Sequence, residues 1–585
     1  MPMYEFSKYL LPAACFLLIA AFFMLLPDLR SCRLGRGGRD TRLGRADALL
    51  MALITLAYAA VAFTGLGSCS SPQSFANMEG RTAQLKPDPA GGTVERLMLF
   101  TGVGIGSYEL EFLADSGERF PLASVEQSHA DVLKWLPVEL ERPVTGGTIL
   151  LRGSGNVWLG ELAALNAEGE SVPVTADTPE LTDEQALCPR RQTFLNSSYF
   201  DEIYHARTAW EHLNGVYPYE ITHPPLGKII IGLGIRLFGM TPFGWRFSGT
   251  FFGVLMLPIL YIFAKKLFGG RLVPTACAAL MTSDFMHFVQ TRIATIDTYA
   301  VFFILLMYLF MYLFISEGRL RDLALCGISF GLGAASKWTC FYAGAGLAVI
   351  WALWVIHGLR SGRLSVRGFV KNALFCVMFF VLVPCLIYYL SYIPYGIARG
   401  TTDLLSRDYL RIVLDNQRYM FNYHSQLVAT HPYSSHWYQW LLDIRPILYY
   451  LDYLPDGRHL SFGAFVNPVL CWGGLIALFV LGFLAVRRRD RASAYILIGY
   501  LAQLLPWVLV PRLTFAYHYF PCTVFLALAL GRVFDVMERN HPKGRLLILG
   551  FTGLSFAVFA LFYPCLAGLP VKPGILRSWL PTWPF

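Results

Sequence analysis

Along this chain, apolar runs of about 18–20 residues alternate with short segments rich in Lys and Arg. A helix that crosses a bilayer needs about 20 apolar residues. The pattern predicts spans at Tyr9–Leu26 and Ala48–Leu66, then near 247–264, 272–290, 298–315, 323–336, 340–357, 372–392, 462–485, 493–510, 518–533 and 546–563. That is twelve, with an error of about two; the stretch 323–357 fits two short helices or one bent helix equally well. Arg30, Arg33, Arg36, Arg39, Arg42 and Arg45 fill the loop between the first two runs and place it on the cytoplasmic side. With alternation, the inner loops then carry Lys265, Lys266 and Arg271; Arg319 and Arg321; Arg360, Arg363, Arg367 and Lys371; Arg487, Arg488, Arg489 and Arg491; and Arg539, Lys543 and Arg545.

Two predicted outer segments are long, Gly67 to about Arg246 and about Ser391 to Ser461. In the first, Tyr108–Phe112 alternates apolar and acidic residues with period 2, as a strand does. Asp115–Gly117 and Gly146–Gly147 are turn signals, and Thr148–Leu151 and Val157–Leu159 read as further strands. The expected organisation is two N-terminal spans (1–66), an inserted β-sandwich of carbohydrate-binding-like type or a plain spacer (67–195), and a first outer loop with surface helices (196–246). A membrane core (247–392), a second outer loop (393–461) and a C-terminal four-helix region (462–585) complete it.

Composition agrees with a membrane protein. Of 585 residues, 55% are hydrophobic and 15% charged, against about 25% charged in soluble domains. This excludes a soluble enzyme, a disordered regulator and a nucleic-acid module. The net charge of +9 is carried mainly by the inner loops. The 12 cysteines form no CxxC and no zinc-ligand spacing. Cys69 and Cys188 bracket the predicted sandwich. An outer location permits a disulfide between them; two free thiols, or a lipoprotein-like box at Leu66–Cys69, are the alternatives.

The acidic pair Asp201–Glu202 begins a stretch too polar to span, predicted as a surface helix from a capping box at Ser198–Asp201 to a stop at Gly215. Helical neighbours point about 100° apart, so the two carboxylates cannot flank one bond. They can divide labour, one as base and one as positioner, or serve only to cap the helix.

Asp201-Glu202-Ile203-Tyr204-His205-Ala206-Arg207, Pro218-Tyr219-Glu220 and His223-Pro224-Pro225-Leu226-Gly227-Lys228 together resemble the first outer loop of the protein O-mannosyltransferases, membrane glycosyltransferases of GT-C type. Four later segments resemble the same family in order: Arg292–Asp297, Ala335–Thr339, His431–Tyr438 with Arg445–Pro446, and Arg512 with Phe515, Tyr517, His518 and Tyr519. The resemblance implies a GT-C fold. It also implies inverting transfer of a sugar, by the family mannose, from a polyprenyl-phosphate carrier to a hydroxyl of protein at the outer face of the plasma membrane. On it Asp201 is the candidate base and Glu202 the acceptor positioner. Arg246, Lys228, His223, Arg292, Lys337, Arg512 and His518 are the candidates for donor phosphate and sugar; Tyr and Trp residues between Tyr392 and Tyr450 line the sugar site or form an interfacial aromatic belt. Expected partners are the lipid-linked sugar, a protein or glycan acceptor and membrane lipids.

The chain departs from the family in the extra N-terminal span and the long insertion, and it lacks a β-trefoil-like domain. With no outer Asp-x-Asp and no His/Asp/Glu cluster, metal-independent catalysis without a cofactor is expected. The alternatives are transfer to a lipid or cell-wall glycan, as in aminoarabinose transferases, and a transporter. The second is disfavoured because the charges lie at span ends and no repeat is visible.

Overall fold

The computed structural model describes residues 40–572 and 582–584. The predicted span Tyr9–Leu26 and Arg30 to Arg39 lie outside them. The chain forms two compact units, a helical one (residues up to Thr64, Ile221–Ile229, and from Gly249 on) and one holding the β-sheet (Gly65–Glu220 with Ile230–Ser248).

Among the described residues of the chain, nine helices are long and apolar enough to cross a membrane, ten if the bent pair Leu272–Thr282 and Phe285–Thr291 is one span. The chain is therefore a multi-pass membrane protein. The stretch 323–357 is two helices, Leu320–Ser336 and Cys340–Arg360, broken at Lys337, whose backbone is extended. The first has 17 residues, shorter than the spanning class.

The helical unit buries its polar groups in pairs, as a low-dielectric interior requires. Lys265 reaches Asp47 at 3.0 Å, and Tyr261 donates to the same carboxylate. Asn467 donates to the Ser283 and Ser555 carbonyls at 2.7 and 3.0 Å. Arg532 bridges Asp490 and Asp535. The predicted second outer loop is ordered. It contains a 20-residue amphipathic helix, Arg407–Gln426, and an antiparallel hairpin, Ile447–Tyr453 with His459–Ala464. The Asp456-Gly457 turn signal marks that hairpin in the sequence.

In the other unit, eight strands are hydrogen-bonded into one sheet rather than the two of the expected sandwich: β1 (Ala76–Asn77), β2 (Thr82–Pro87), β3 (Val94–Leu113), β4 (Arg119–Gln127), β5 (Trp135–Val144), β6 (Thr148–Leu165), β7 (Ser171–Val172) and β8 (Val174–Ala176). The two strands predicted at Thr148–Leu151 and Val157–Leu159 are parts of the single strand β6. β3 and β6 pair along their whole length, with register shifts between Phe100 and Gly104. β3 then takes β5 as its other partner before the shift and β4 after it. Bulges bend strands, and residues from both sides of the bend, Leu97 and Leu99 with Leu110 and Tyr108, share one buried core. The sheet thus folds over on itself.

Gly104, at the register shift, has φ +102°, and a Cβ there would collide with the Asn156 carbonyl. Gly117, in the β3–β4 turn, also has positive φ (+87°) but open space around it. Gly104→Ala should therefore destabilise the protein by roughly 1–3 kcal/mol from backbone strain alone, with the collision added. Gly117→Ala should cost clearly less. Thermal unfolding and limited proteolysis of residues 65–195 compare the two.

Candidate active site

The acidic pair sits where the sheet meets a helix. Glu202–Leu213 is the helix predicted from the polar stretch, and Gly215 follows it with φ +65°. Its start differs from the expected capping box. Asp201 is the N-cap, but its side chain makes no cap hydrogen bond. The Ser198 hydroxyl donates instead to the Val132 carbonyl at 2.7 Å, and the Ser198 amide to the Leu133 carbonyl. Helix capping is therefore not what Asp201 is used for. Phe200, just before it, has φ +48°, and Leu133 has φ +59°. Such a backbone costs about 1–3 kcal/mol and persists only where its surroundings enforce it. Here the enforcement comes from the sheet: Trp210 packs against Phe75 and Trp158, and Tyr204 stacks on His129.

Glu202 and Arg246 are both fully buried, 44 positions apart in sequence but joined in space. Arg246 Nε and Nη2 donate to the two Glu202 oxygens at 2.7 and 2.8 Å. The guanidinium also donates to the Leu66 and Ser197 carbonyls, both at 2.9 Å, and lies over the Tyr199 ring. Glu202 further accepts from the Tyr199 amide. This corrects two expectations. Arg246 has its donors committed inside the protein and holds the helix start; it does not present them to a donor phosphate. Glu202 is buried against Arg246 and does not reach an acceptor, while half-buried Asp201 next to it is the more accessible carboxylate. Along the same helix Arg207 bonds Glu211 at 2.8 Å and lies over Tyr219 at 3.9 Å.

The remaining candidates belong to the helical unit. Lys337, in the break between two helices, pairs with Asp297 at 2.7 Å and lies 5.6 Å from the Tyr517 ring. Asp297 is the acidic end of the Arg292–Asp297 motif, and its role was not foreseen. His223 meets His424 edge to face at 5.2 Å. His424, on the Arg407–Gln426 helix, was missed altogether because nothing in its local sequence marks it. Its Nε2 lies 2.8 Å from the Thr222 carbonyl, and Asn416 one turn-pair earlier donates to Ile221, so this helix holds the His223 segment in place. Trp338 donates to Tyr388, which donates to Gln417. His518 stacks between Trp440 and Tyr517.

Arg512 is half-buried, and among the described residues no carboxylate pairs with it. Its charge bears on His424, as do those of Lys337 and His223. Burial first, then His223, Arg512 and Lys337, push the His424 imidazole down to about 4. Two candidates hold backbone carbonyls. Lys228 is fully buried and donates to the His223 carbonyl at 2.9 Å. Arg292 donates to the Thr64 carbonyl and lies over Phe288. The structure thus brings His223, Lys337 and Arg512 together around His424.

Cys69 is exposed, Cys188 packs against Phe100, Trp135 and Ala163, and both are free thiols, so of the alternatives the possible bridge is not formed. Among the described residues one carboxylate cluster could offer three ligands to a cation: Glu161, Asp183 and Glu184, within 4.8 Å of one another. Glu161 already accepts the Leu162 and Glu184 amides, and burial pushes it up to about 7.

Two family models match the chain. The dolichyl-phosphate-mannose-protein mannosyltransferase model covers residues 222–388, and the model of the C-terminal four-helix membrane region of protein-O-mannosyltransferase covers 409–583. Neither match includes the sheet, Asp201 or Glu202. The polyprenol-phosphate-mannose–protein mannosyltransferase of Mycolicibacterium smegmatis is 27% identical over 459 residues, 67% of this chain and 88% of its own. That of Mycobacterium tuberculosis is 25% identical over 462 residues, 67% and 87%. In fold, the chain is similar to the Saccharomyces cerevisiae protein O-mannosyltransferase Pmt1–Pmt2 complex bound to the sugar donor, with TM-score 0.59 and 15% identity over 66% of this chain and 89% of that one.

Removing one partner of a buried ion pair leaves the other uncompensated and costs about 3–5 kcal/mol. Arg246→Ala should therefore lower the thermal midpoint sharply, while the folded fraction keeps its KM for the lipid-linked donor. A raised donor KM with unchanged stability would return Arg246 to the phosphate.

His424 sets a pH dependence. Its folded value, about 4, lies below the unfolded value of about 6.5, so the unfolded chain binds the proton more readily. The neutral ring's contribution is complete above pH 6.5 and is lost as pH falls toward 4. Thermal midpoints at pH 7.5 and 5 should fall more in the wild type than in His424→Gln.

Proposed function

The chain belongs to the protein O-mannosyltransferase family, and we propose that it transfers mannose from a polyprenyl-phosphate carrier to Ser or Thr hydroxyls of protein, at the extracytoplasmic face of the cell membrane. The observation that carries this reading is the cationic cluster built on the matched residues. Arg512 has no acidic partner among the described residues, Lys337 is steadied by Asp297, and the His223 segment is pinned by the Arg407–Gln426 helix.

A lipid phosphate is a good leaving group once its charge is met. As the glycosidic bond breaks, negative charge grows on the phosphate oxygens, and fixed cations stabilise it without rearranging. Arg512 and Lys337 are assigned this task, with His223 as a hydrogen-bonding group for phosphate or sugar.

The acceptor hydroxyl must lose its proton as the new C–O bond forms at the face of the sugar opposite the leaving phosphate, which inverts the anomeric carbon. Asp201 is assigned as the base. Its carboxylate caps no helix, and the strained Phe200 backbone and the buried Glu202–Arg246 pair fix its position from both sides. Glu202 acts as a positioning residue for Asp201.

Asp201→Asn should leave folding and donor binding intact and lower turnover by about 10²–10⁴-fold, the range for loss of a general base. Arg512→Ala should act differently and raise the donor KM. The assay uses purified protein, polyprenyl-phosphate mannose and an acceptor peptide containing Ser and Thr. Turnover near wild type in Asp201→Asn would remove the base assignment.

A further inference from the structure

A cavity of about 620 Å³ opens at the arginine-rich end of the helical unit, among the C-terminal ends of the Asp297–Glu317 and Cys340–Arg360 helices and the first turn of the Arg491–Leu504 helix. Its size falls within the about 300–1,000 Å³ of ordinary ligand sites. Its walls are of two kinds. Leu353, Trp354 and Tyr495 are apolar or aromatic, while Arg363, Arg491 and His357 are basic.

Arg491 lies 3.3 Å from the His357 ring nitrogen, and among the described residues neither Arg363 nor Arg491 has a carboxylate partner. The acids nearest in sequence are engaged elsewhere. Glu317 pairs with Lys266 and Arg319, Asp322 with Arg319 and Arg321, and Asp490 with Arg532. Two arginines and an imidazole, with no acid among the residues that line the cavity, therefore share it with an aliphatic and aromatic wall.

We propose that this cavity is a binding site for an anionic phospholipid of the cytoplasmic leaflet, its phosphate held by Arg363 and Arg491 and an acyl chain lying on Leu353 and Trp354. The match is of charge and of shape. Guanidinium groups recognise phosphate through paired N–H donors, basic pockets between spanning helices on the cytoplasmic side suit anionic headgroups, and the apolar wall gives the tail the contact that a free phosphate ion could not use. The positive-inside rule places this end in the cytoplasm. The site serves no step of the transfer reaction, and neither arginine belongs to the machinery assigned above.

The test is native mass spectrometry of the purified full-length protein with dioleoyl phosphatidylglycerol, dioleoyl phosphatidylcholine or undecaprenyl phosphate. The wild type should retain phosphatidylglycerol in preference to the other two. The double variant Arg363→Gln/Arg491→Gln should lose that retention by roughly tenfold or more, given about 1 kcal/mol for each cation at an anionic lipid. Arg487→Gln/Arg489→Gln, which removes equal charge outside the cavity lining, should keep it. If the first variant does not purify, Ala494→Trp fills the cavity and should give the same loss. Equal loss in both double variants, unchanged retention without Arg363 and Arg491, or preference for undecaprenyl phosphate over phosphatidylglycerol would each overturn the proposal.

Discussion

The buried pair between Glu202 and Arg246 is the interaction on which the candidate site depends. Two charges out of water cost several kcal/mol each unless geometry and hydrogen bonding repay them. Here they are repaid in full view: two parallel N–H···O bonds to the carboxylate, two more to backbone carbonyls, and an amide on the carboxylate. Those carbonyls belong to Leu66 and Ser197, so one guanidinium joins the start of the sheet unit, its last turn before the helix and the helix itself. The pair and the sheet contacts together hold the backbone between Ser197 and Glu202, where Phe200 takes a left-handed conformation. Asp201 inherits its position from that constraint.

The sheet has a physical role at this point. Val132 and Leu133 bond Ser198, and Phe75 and Trp158 pack on Trp210, so the inserted strands form the wall against which the acidic helix starts. The register shifts between Phe100 and Gly104 fold the sheet into one core that can supply such a wall. An insertion of this kind need bind no ligand of its own to matter for the reaction.

The cationic cluster follows a different logic. Lys337 is paired with Asp297, which fixes the position of its ammonium group. Among the described residues Arg512 has no such partner, and burial first, then the charges of His223, Arg512 and Lys337, keep the imidazole of His424 neutral. Like charges held together in a folded protein store unfavourable energy, and an arriving phosphate relieves it. The same reasoning, applied at the opposite, arginine-rich end of the spans, singles out Arg363 and Arg491.

The sequence by itself determined the class of the molecule. Span length, basic loops and the acidic pair are local patterns, set by bilayer thickness, charge and helical periodicity, and each can be read from neighbouring residues. The ordered motifs marked His223, Lys337, Arg512 and His518 as parts of one family's site for the same reason. What only the tertiary structure decided were the partners. Arg246 was read as a phosphate ligand because a cation at a helix start looks alike whether it faces solvent or a carboxylate 44 positions away. His424 was invisible because its function arises from His223, some 200 residues earlier in the chain. The single folded-over sheet was read as separate short strands because a bulge interrupts the period-2 pattern without ending the strand. Burial and pairing across long sequence separations carry no local signature, since the energy that selects them belongs to the pair and not to either residue.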